Sequence, residues 1–229
     1  MILTINTRML KQLNHSITPI SPIITSPISF RVIHIIYIQV AYVEKDSKVY
    51  SEIVQYNAPW GLARISHRQP LGFITFTKYL YDATAGSDVT VYIVDTGINI
   101  DHVDFGSRAR WGHTVPDNDE DVDNNGHGTH VAGTAVGTRF GVAKKANVVA
   151  VKVLNSEGRG STSDVIKGVE YVVKSHADEM GRARKDGRPF KGSVANLSLG
   201  GSKSISLDAA INAVSVINHC TRKWKELTS

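Results

Sequence analysis

Two side chains of this chain have the chemical types and the local settings needed for acid–base catalysis. Asp95 follows the apolar run at 89–94 and precedes Thr-Gly, so its carboxylate is predicted to end a strand. His127 precedes a run of small residues at 128–135, which suits a helix packed tightly against its neighbours. A carboxylate that orients an imidazole, and an imidazole that acts as general base, are two of the three members of a nucleophilic triad. The alternative interpretation is a buried helix of small residues with two incidental histidines.

Four motifs, in this order along the chain, resemble those of the subtilisin-like serine proteases, or subtilases. They are Asp-Thr-Gly at 95–97, His-Gly-Thr-His-Val-Ala-Gly at 127–133, Val-Lys-Val-Leu at 151–154 and Asn-Leu-Ser-Leu-Gly-Gly at 196–201. Each motif alone is weak, but the four in order are specific. The resemblance covers residues 42–217 and is strongest to the fungal group around proteinase K and cerevisin.

This resemblance implies a serine endopeptidase that hydrolyses peptide bonds through an Asp-His-Ser triad. Asp95 would orient the imidazole and His127 would be the general base, whereas His130 would be a structural histidine inside the helix packing. No metal or cofactor is implied. The peptide or protein substrate would lie in a groove between two segments, whose residues are Gly158, Arg159 and Gly160 on one edge and Ser198, Leu199, Gly200 and Gly201 on the other. The alternative for Gly200-Gly201 is an ordinary turn at the end of a strand.

The nucleophile of the family is the feature that these 229 residues do not match. The family serine stands in Gly-Thr-Ser-Met-Ala, and the nearest imitation, Gly-Ser-Thr-Ser at 160–163, lies where the family binds substrate backbone. The segment that would hold the oxyanion-hole asparagine is not matched either. We therefore expect an inactive serine-protease chain with a sound Asp-His pair. The alternative is a non-catalytic peptide-binding remnant or a misassembled gene product.

The motifs divide the chain into four segments. Residues 1–41 are a leader unlike the family, and residues 42–54 resemble the end of the inhibitory propeptide that precedes these proteases. Residues 55–217 form a partial peptidase domain, and residues 218–229 are a tail unlike the family. Family members are vacuolar or secreted, but no signal peptide is recognisable here, so localisation stays open.

Composition limits the other classes of partner and cofactor. The net charge is +5, but much of the basic excess falls in the stretch at 182–191, which Gly187 and Pro189 interrupt. That stretch is interpreted as a solvated loop, so nucleic-acid binding is not expected. The apolar run at 32–43 is too short to span a membrane. The acidic loop at 117–126 is interpreted as a solvated turn, because it lacks the closing glutamate of a calcium loop.

The hydrophobic pattern predicts alternating strands and helices. Strands are expected at 89–95, 147–154 and 193–199, and helices are expected after His127 and at 164–174 and 207–217. Strand–helix alternation indicates an α/β fold with a parallel sheet. We therefore predict the three-layer fold of the subtilisin-like proteases, incomplete on its C-terminal side.

Overall fold

The structure of the chain is a computed structural model, and it describes residues 52–217. Strands and helices alternate through most of this range. In chain order they are β1 (Glu52–Gln55), α1 (Trp60–Ile65), β2 (Tyr79–Asp82), β3 (Val89–Asp95), a 3-10 helix (Val103–Phe105), β4 (Ala109–Thr114), α2 (His127–Val136), β5 (Asn147–Lys152), α3 (Thr162–Asp186), β6 (Gly192–Asn196) and α4 (Ile205–Ile217).

The larger sheet is parallel and has the strand order β4-β5-β3-β6. Strands β1 and β2 form a separate antiparallel pair. Because the strands of the larger sheet run in one direction, their carboxyl ends meet at one edge, where Asp95 ends β3 and Lys152 ends β5. In the register of the sheet these two residues are direct partners. The chain is therefore an α/β protein whose candidate chemistry lies at the carboxyl edge of its sheet.

Strand β3 is buried on both faces because helices cover the sheet from two sides. Val91 and Ile93 belong to one apolar cluster, together with Ala132 and Val136 of α2. Tyr92 and Val94, which alternate with them along β3, belong to a second cluster with Val165 and Val172 of α3. The predicted helix–sheet–helix arrangement is confirmed, and it explains why β3 is apolar throughout.

Strand β3 and the helix that begins at His127 have the predicted positions, but other boundaries differ. Strand β5 ends at Lys152 and β6 ends at Asn196, so the Leu-Ser-Leu-Gly segment after Asn196 is not strand. Strand β4 was not predicted from the sequence. Its sequence, Ala-Arg-Trp-Gly-His-Thr, has no run of β-branched residues, and none of its residues is fully buried.

Helix α3 corrects one prediction. The helix was expected to stop at Lys174 and the basic stretch after it was expected to be a loop, but α3 continues to Asp186. The helix begins with a capping box between Ser161 and Asp164 and ends at Gly187, whose φ of 64° is left-handed. The apolar repeat ends before the helix does, because the later part of the buried face carries polar or small residues, namely Ser175, His176, Glu179 and Ala183. The basic residues of this stretch are exposed, as expected.

The predicted leader at 1–41, most of the predicted propeptide remnant at 42–54 and the predicted tail at 218–229 lie outside the described residues. Residues 52–54 belong to β1, which pairs with β2. Among the helices that the structure describes, none combines the length and the apolar character that crossing a membrane requires.

Two glycines of α3 provide a matched test of the packing between helix and sheet. A Cβ at Gly168 would lie 2.4 Å from Cγ1 of Val153, whereas a Cβ at Gly181 would have no atom within 4 Å. We expect Gly168→Ala to lower the free energy of unfolding by about 1–3 kcal/mol through overpacking. The control, Gly181→Ala, should raise it by about 0.5–1 kcal/mol through helix propensity. Urea denaturation followed by circular dichroism measures both, and equal effects would contradict the observed packing.

Candidate active site

A hydrogen bond joins the two side chains that the sequence singled out. Nδ1 of His127 lies 2.7 Å from Oδ1 of Asp95, although 32 residues separate them along the chain. The carboxylate is fully buried, whereas the His127 side chain is 49% exposed. Because a carboxylate accepts, the proton of the neutral imidazole is assigned to Nδ1. This tautomer leaves Nε2 with a free lone pair, which is the state that a general base requires.

The Asp95 carboxylate is held in place from its own strand end. The backbone N–H of Thr96 donates to Oδ1 of Asp95 at 2.7 Å, so this oxygen accepts from both Thr96 and His127. Oδ2 is also buried, and among the described residues it has no hydrogen-bond partner. The backbone oxygen of Asp95 accepts from the N–H groups of Val153 and Leu154, which continue from β5. The carboxylate therefore has a fixed position at the sheet edge.

Helix α2 approaches the end of β3 closely enough to require glycine at position 128. A Cβ at Gly128 would lie 2.1 Å from the backbone oxygen of Gly97 and 3.2 Å from Cβ of Asp95. The N–H of Gly128 donates to Oγ1 of Thr96 at 3.0 Å across this contact. Only a residue without a side chain lets the two backbones meet. This contact places the imidazole of His127 over the carboxylate.

Asp123 is a site residue that the sequence interpretation missed. Its Oδ1 accepts from Oγ1 of Thr96 at 2.9 Å and from the N–H of Gly126 at 2.9 Å. Its Oδ2 accepts from the N–H of Thr129 at 3.0 Å and from the Thr129 hydroxyl. One carboxylate therefore connects the end of β3 to the first turn of α2. It also supplies the helix cap, since Gly126 at the N-cap has no side chain.

The hydrogen bonds to Asp123 lower the pKa of its carboxyl by more than burial raises it. Burial raises the pKa of the carboxyl, but the bonds from Thr129, Gly126 and Thr96 lower it further, so the pKa lies below the ordinary value. The interpretation of residues 117–126 as a solvated turn is therefore wrong at Asp123, which is partly buried. The available signal was an Asp a few residues before a helix start, followed by Thr129 as a hydroxyl donor.

Asn125 connects the histidine helix to the predicted substrate groove. Its Oδ1 accepts from the N–H of His127 at 3.2 Å, and its Nδ2 donates to the backbone oxygen of Ser156 at 2.9 Å. Ser156 lies in the turn that precedes Gly158, whose φ of 75° is left-handed. This amide therefore joins the start of α2 to the turn that precedes Gly158.

The structure places the predicted groove residues in two segments without regular secondary structure. Gly158, Arg159 and Gly160 are exposed, and a Cβ at Gly160 would lie 2.3 Å from the backbone oxygen of Val153. In the second segment Ser198, Gly200 and Gly201 are exposed, whereas Leu199 is partly buried. Leu199 packs against the apolar cluster between the sheet and α3, and Leu154, which precedes the first segment, packs against the same cluster. These observations give the positions of the residues and leave their roles to be proposed.

His130 is not the packed histidine that the sequence predicted. Its side chain is exposed, although its backbone N–H makes the first helical hydrogen bond, to the backbone oxygen of Gly126. Spacing along a helix does not reveal which of two histidines reaches the carboxylate, because the direction of each side chain depends on the angle at which the helix meets the sheet. Within residues 52–217 no group of three or more metal-ligating side chains converges.

Comparisons with known proteins agree on one family. A family model described as the Subtilase family matches residues 86–223. The chain is 59% identical over 179 residues to the subtilisin-like serine protease Pen c 2 of Penicillium citrinum and to alkaline protease 2 of Aspergillus fumigatus. The matches cover 76% of this chain but only 39% and 36% of those proteins. The crystal structure of a cold-adapted subtilisin-like serine proteinase is 42% identical, with a TM-score of 0.57, and the match covers 69% of this chain and 52% of that one.

The lowered pKa of Asp123 predicts how its contribution depends on pH. The carboxylate is stabilised in the folded chain, so its contribution is complete above the pKa of an unfolded Asp and is lost as the pH falls through the lower folded pKa. We expect Asp123→Asn to lower the free energy of unfolding at neutral pH, and the difference from the parent should shrink on acidification. The exposed Asp178 provides the control variant Asp178→Asn. A difference for Asp123→Asn that stays constant between about pH 7 and about pH 2 would contradict the assignment.

Proposed function

The chain belongs to the subtilase family, and from that premise we propose that it carries the general-base half of a serine endopeptidase site. The observation that carries this proposal is the 2.7 Å hydrogen bond between His127 and the buried Asp95. It gives the imidazole the orientation and the tautomer that the removal of a proton from a serine hydroxyl requires. The reaction class is the hydrolysis of peptide bonds.

In this proposal each member of the pair has a distinct task. Nε2 of His127 accepts the proton of the attacking serine and later gives it to the leaving amine. Asp95 stays ionised and stabilises the imidazolium that forms between these two steps. The burial of the carboxylate strengthens the interaction, because the Asp95 side of the pair is shielded from water. Asp123 and Thr96 support the geometry and do not contact the reacting atoms.

The substrate binds, in this proposal, as an extended strand between the two exposed segments. Gly158 on one side and Gly200 on the other leave room for a peptide backbone to approach. Arg159 is 81% exposed, and its guanidinium lies 3.3 Å from the carboxylate of Glu157 at the rim of the groove. Leu199 offers an apolar surface for a side chain of the substrate. An inhibitory propeptide would occupy the same groove.

The 229 residues contain no Gly-Thr-Ser-Met-Ala motif, so we propose that hydrolysis requires a serine that this sequence does not supply. Deprotonation by His127 has no effect on rate without a nucleophile in reach. A second candidate function is the binding of peptides without cleavage, and the exposed groove segments favour it. Both functions use the same groove, and they differ in the presence of a reactive serine.

A fluorophosphonate probe distinguishes the two functions. We expect the 229-residue chain to show no serine labelling, because labelling requires a serine hydroxyl activated by the imidazole. Fusion of residues 55–214 to the serine-bearing half of a fungal relative, with the propeptide supplied in trans, should restore both labelling and cleavage of a peptide substrate. Stoichiometric labelling of the 229-residue chain would contradict the proposed need for an external serine.

The two histidines of α2 provide a matched pair in the active fusion. His127→Ala should lower kcat by at least about 10³-fold, because the general base is lost. His130→Ala should leave kcat within about threefold of the parent, because its side chain is exposed and remote from the Asp95 hydrogen bond. Equal losses in the two variants, with folding unchanged, would mean that the wrong histidine has been assigned.

A further inference from the structure

Lys152 is a fully buried lysine at the carboxyl edge of the sheet. Its side chain has 0% exposure, and it interrupts the Val-Val-Ala-Val-Lys-Val run of β5. It is the direct partner of Asp95 in the sheet register. A charged ammonium loses its hydration when it is buried, so it is retained only where it is paired and hydrogen-bonded. The site chemistry described above does not use it.

The ammonium of Lys152 bonds to the segments that follow three neighbouring strands. Nζ donates to the backbone oxygen of Thr96 at 3.0 Å and to the backbone oxygen of Leu154 at 3.0 Å. It also lies 3.3 Å from Oδ2 of Asp119. Thr96 follows β3, Leu154 follows β5 and Asp119 lies in the loop after β4. One cation therefore fixes three chain segments around the candidate site.

Thr96 gives this contact a direct route to the catalytic pair. Its N–H donates to Oδ1 of Asp95, its Oγ1 accepts from the N–H of Gly128, and its backbone oxygen accepts from Lys152. A shift of Thr96 would therefore displace the carboxylate and the start of α2 together. Leu154, the second acceptor, precedes the groove segment at 158–160.

We propose that Lys152 is a positioning residue that holds the Asp95–His127 hydrogen bond in its reactive geometry. It does so through its hydrogen bonds to the backbone oxygens of Thr96 and Leu154, which are here called the clamp. The role in catalysis rests on the proposed function, whereas the role in geometry does not. The buried ion pair with Asp119 is weak evidence of a purely stabilising role, since apolar residues that replace both partners of such a pair often stabilise a fold equally well. A misplaced general base slows the chemical step strongly even when the substrate still binds.

The chain contains a matched control in Lys144, a second buried lysine that donates to backbone carbonyls. Its Nζ bonds to the oxygens of Thr138 and Gly141, in the loop after the far end of α2. Lys144→Met and Lys152→Met therefore remove the same chemical group from buried sites with carbonyl acceptors. Only the second substitution removes a contact to Thr96.

Proton NMR of the full chain provides a readout that a merely structural role would not change. The His127 Nδ1–H, bonded to a buried carboxylate, should give a downfield resonance protected from exchange with water. We expect Lys152→Met to lose this resonance while the chain stays folded, and Lys144→Met to keep it. A folded Lys152→Met chain that keeps the resonance overturns the proposal.

If Lys152→Met does not fold, Lys152→Arg decides the outcome. Arginine retains a cation that can donate to the same carbonyl oxygens. A folded Lys152→Arg chain with the His127 resonance supports the clamp, and a folded chain without the resonance overturns it. Failure of Lys152→Arg to fold also overturns the proposal, since the residue would then be required for stability alone.

Kinetics of the active fusion test the catalytic consequence separately. Lys152→Met should lower kcat by about 10–100-fold with KM within about threefold, and Lys144→Met should change neither. A rise in KM with kcat unchanged would overturn the positioning role. If the parent fusion hydrolyses no peptide at all, the proposed function fails, but the NMR comparison in the 229-residue chain still tests the clamp.

Discussion

The buried carboxylate of Asp95 is the group on which the rest of the site depends. A buried carboxylate is stabilised by hydrogen-bond donors, and Oδ1 of Asp95 has two, the N–H of Thr96 and the Nδ1–H of His127. The second donor is on a separate helix, so the need to satisfy the carboxylate helps to fix the position of α2 against β3. The glycine at 128 follows from the same constraint, since the donor reaches Asp95 only when the two backbones nearly touch.

Helix α2 is restrained by charge at both ends. Asp123 accepts from N–H groups of the first turn, where the helix dipole is positive. Arg108 donates to the backbone oxygen of Val136 at the opposite end, where the dipole is negative. Small residues between the two ends let the helix lie close to the sheet. The imidazole at the start of the helix therefore needs no extensive side-chain packing of its own, and it stays half exposed.

The sequence predicted those parts of the structure that depend on repeated apolar residues. Strand β3 and the start of α2 were predicted because β-branched and small residues have clear local preferences. The second half of α3 was missed because its buried face carries Ser175, His176 and Glu179, which bond to Tyr92, Ser193 and Thr90 rather than forming an apolar stripe. The direction of His130 and the anchoring roles of Asp123 and Lys152 depend on tertiary contacts, and such contacts leave no period in a sequence. Lys152 lies in the Val-Lys-Val-Leu motif at 151–154, but the motif does not reveal which atoms the ammonium contacts.

The start of α2 and the segment at 158–160 are connected by hydrogen bonds to backbone atoms. Asn125 bonds to the N–H of His127 and to the carbonyl of Ser156, and Lys152 bonds to the carbonyls of Thr96 and Leu154. In the proposed function, a peptide bound at 158–160 would contact the same turn that Asn125 bonds to. The side chains of the groove can therefore differ while the geometry of the Asp–His pair is kept. The position of Asp95 and His127 is therefore set by contacts to backbone atoms, which any side chain at 158–160 leaves in place.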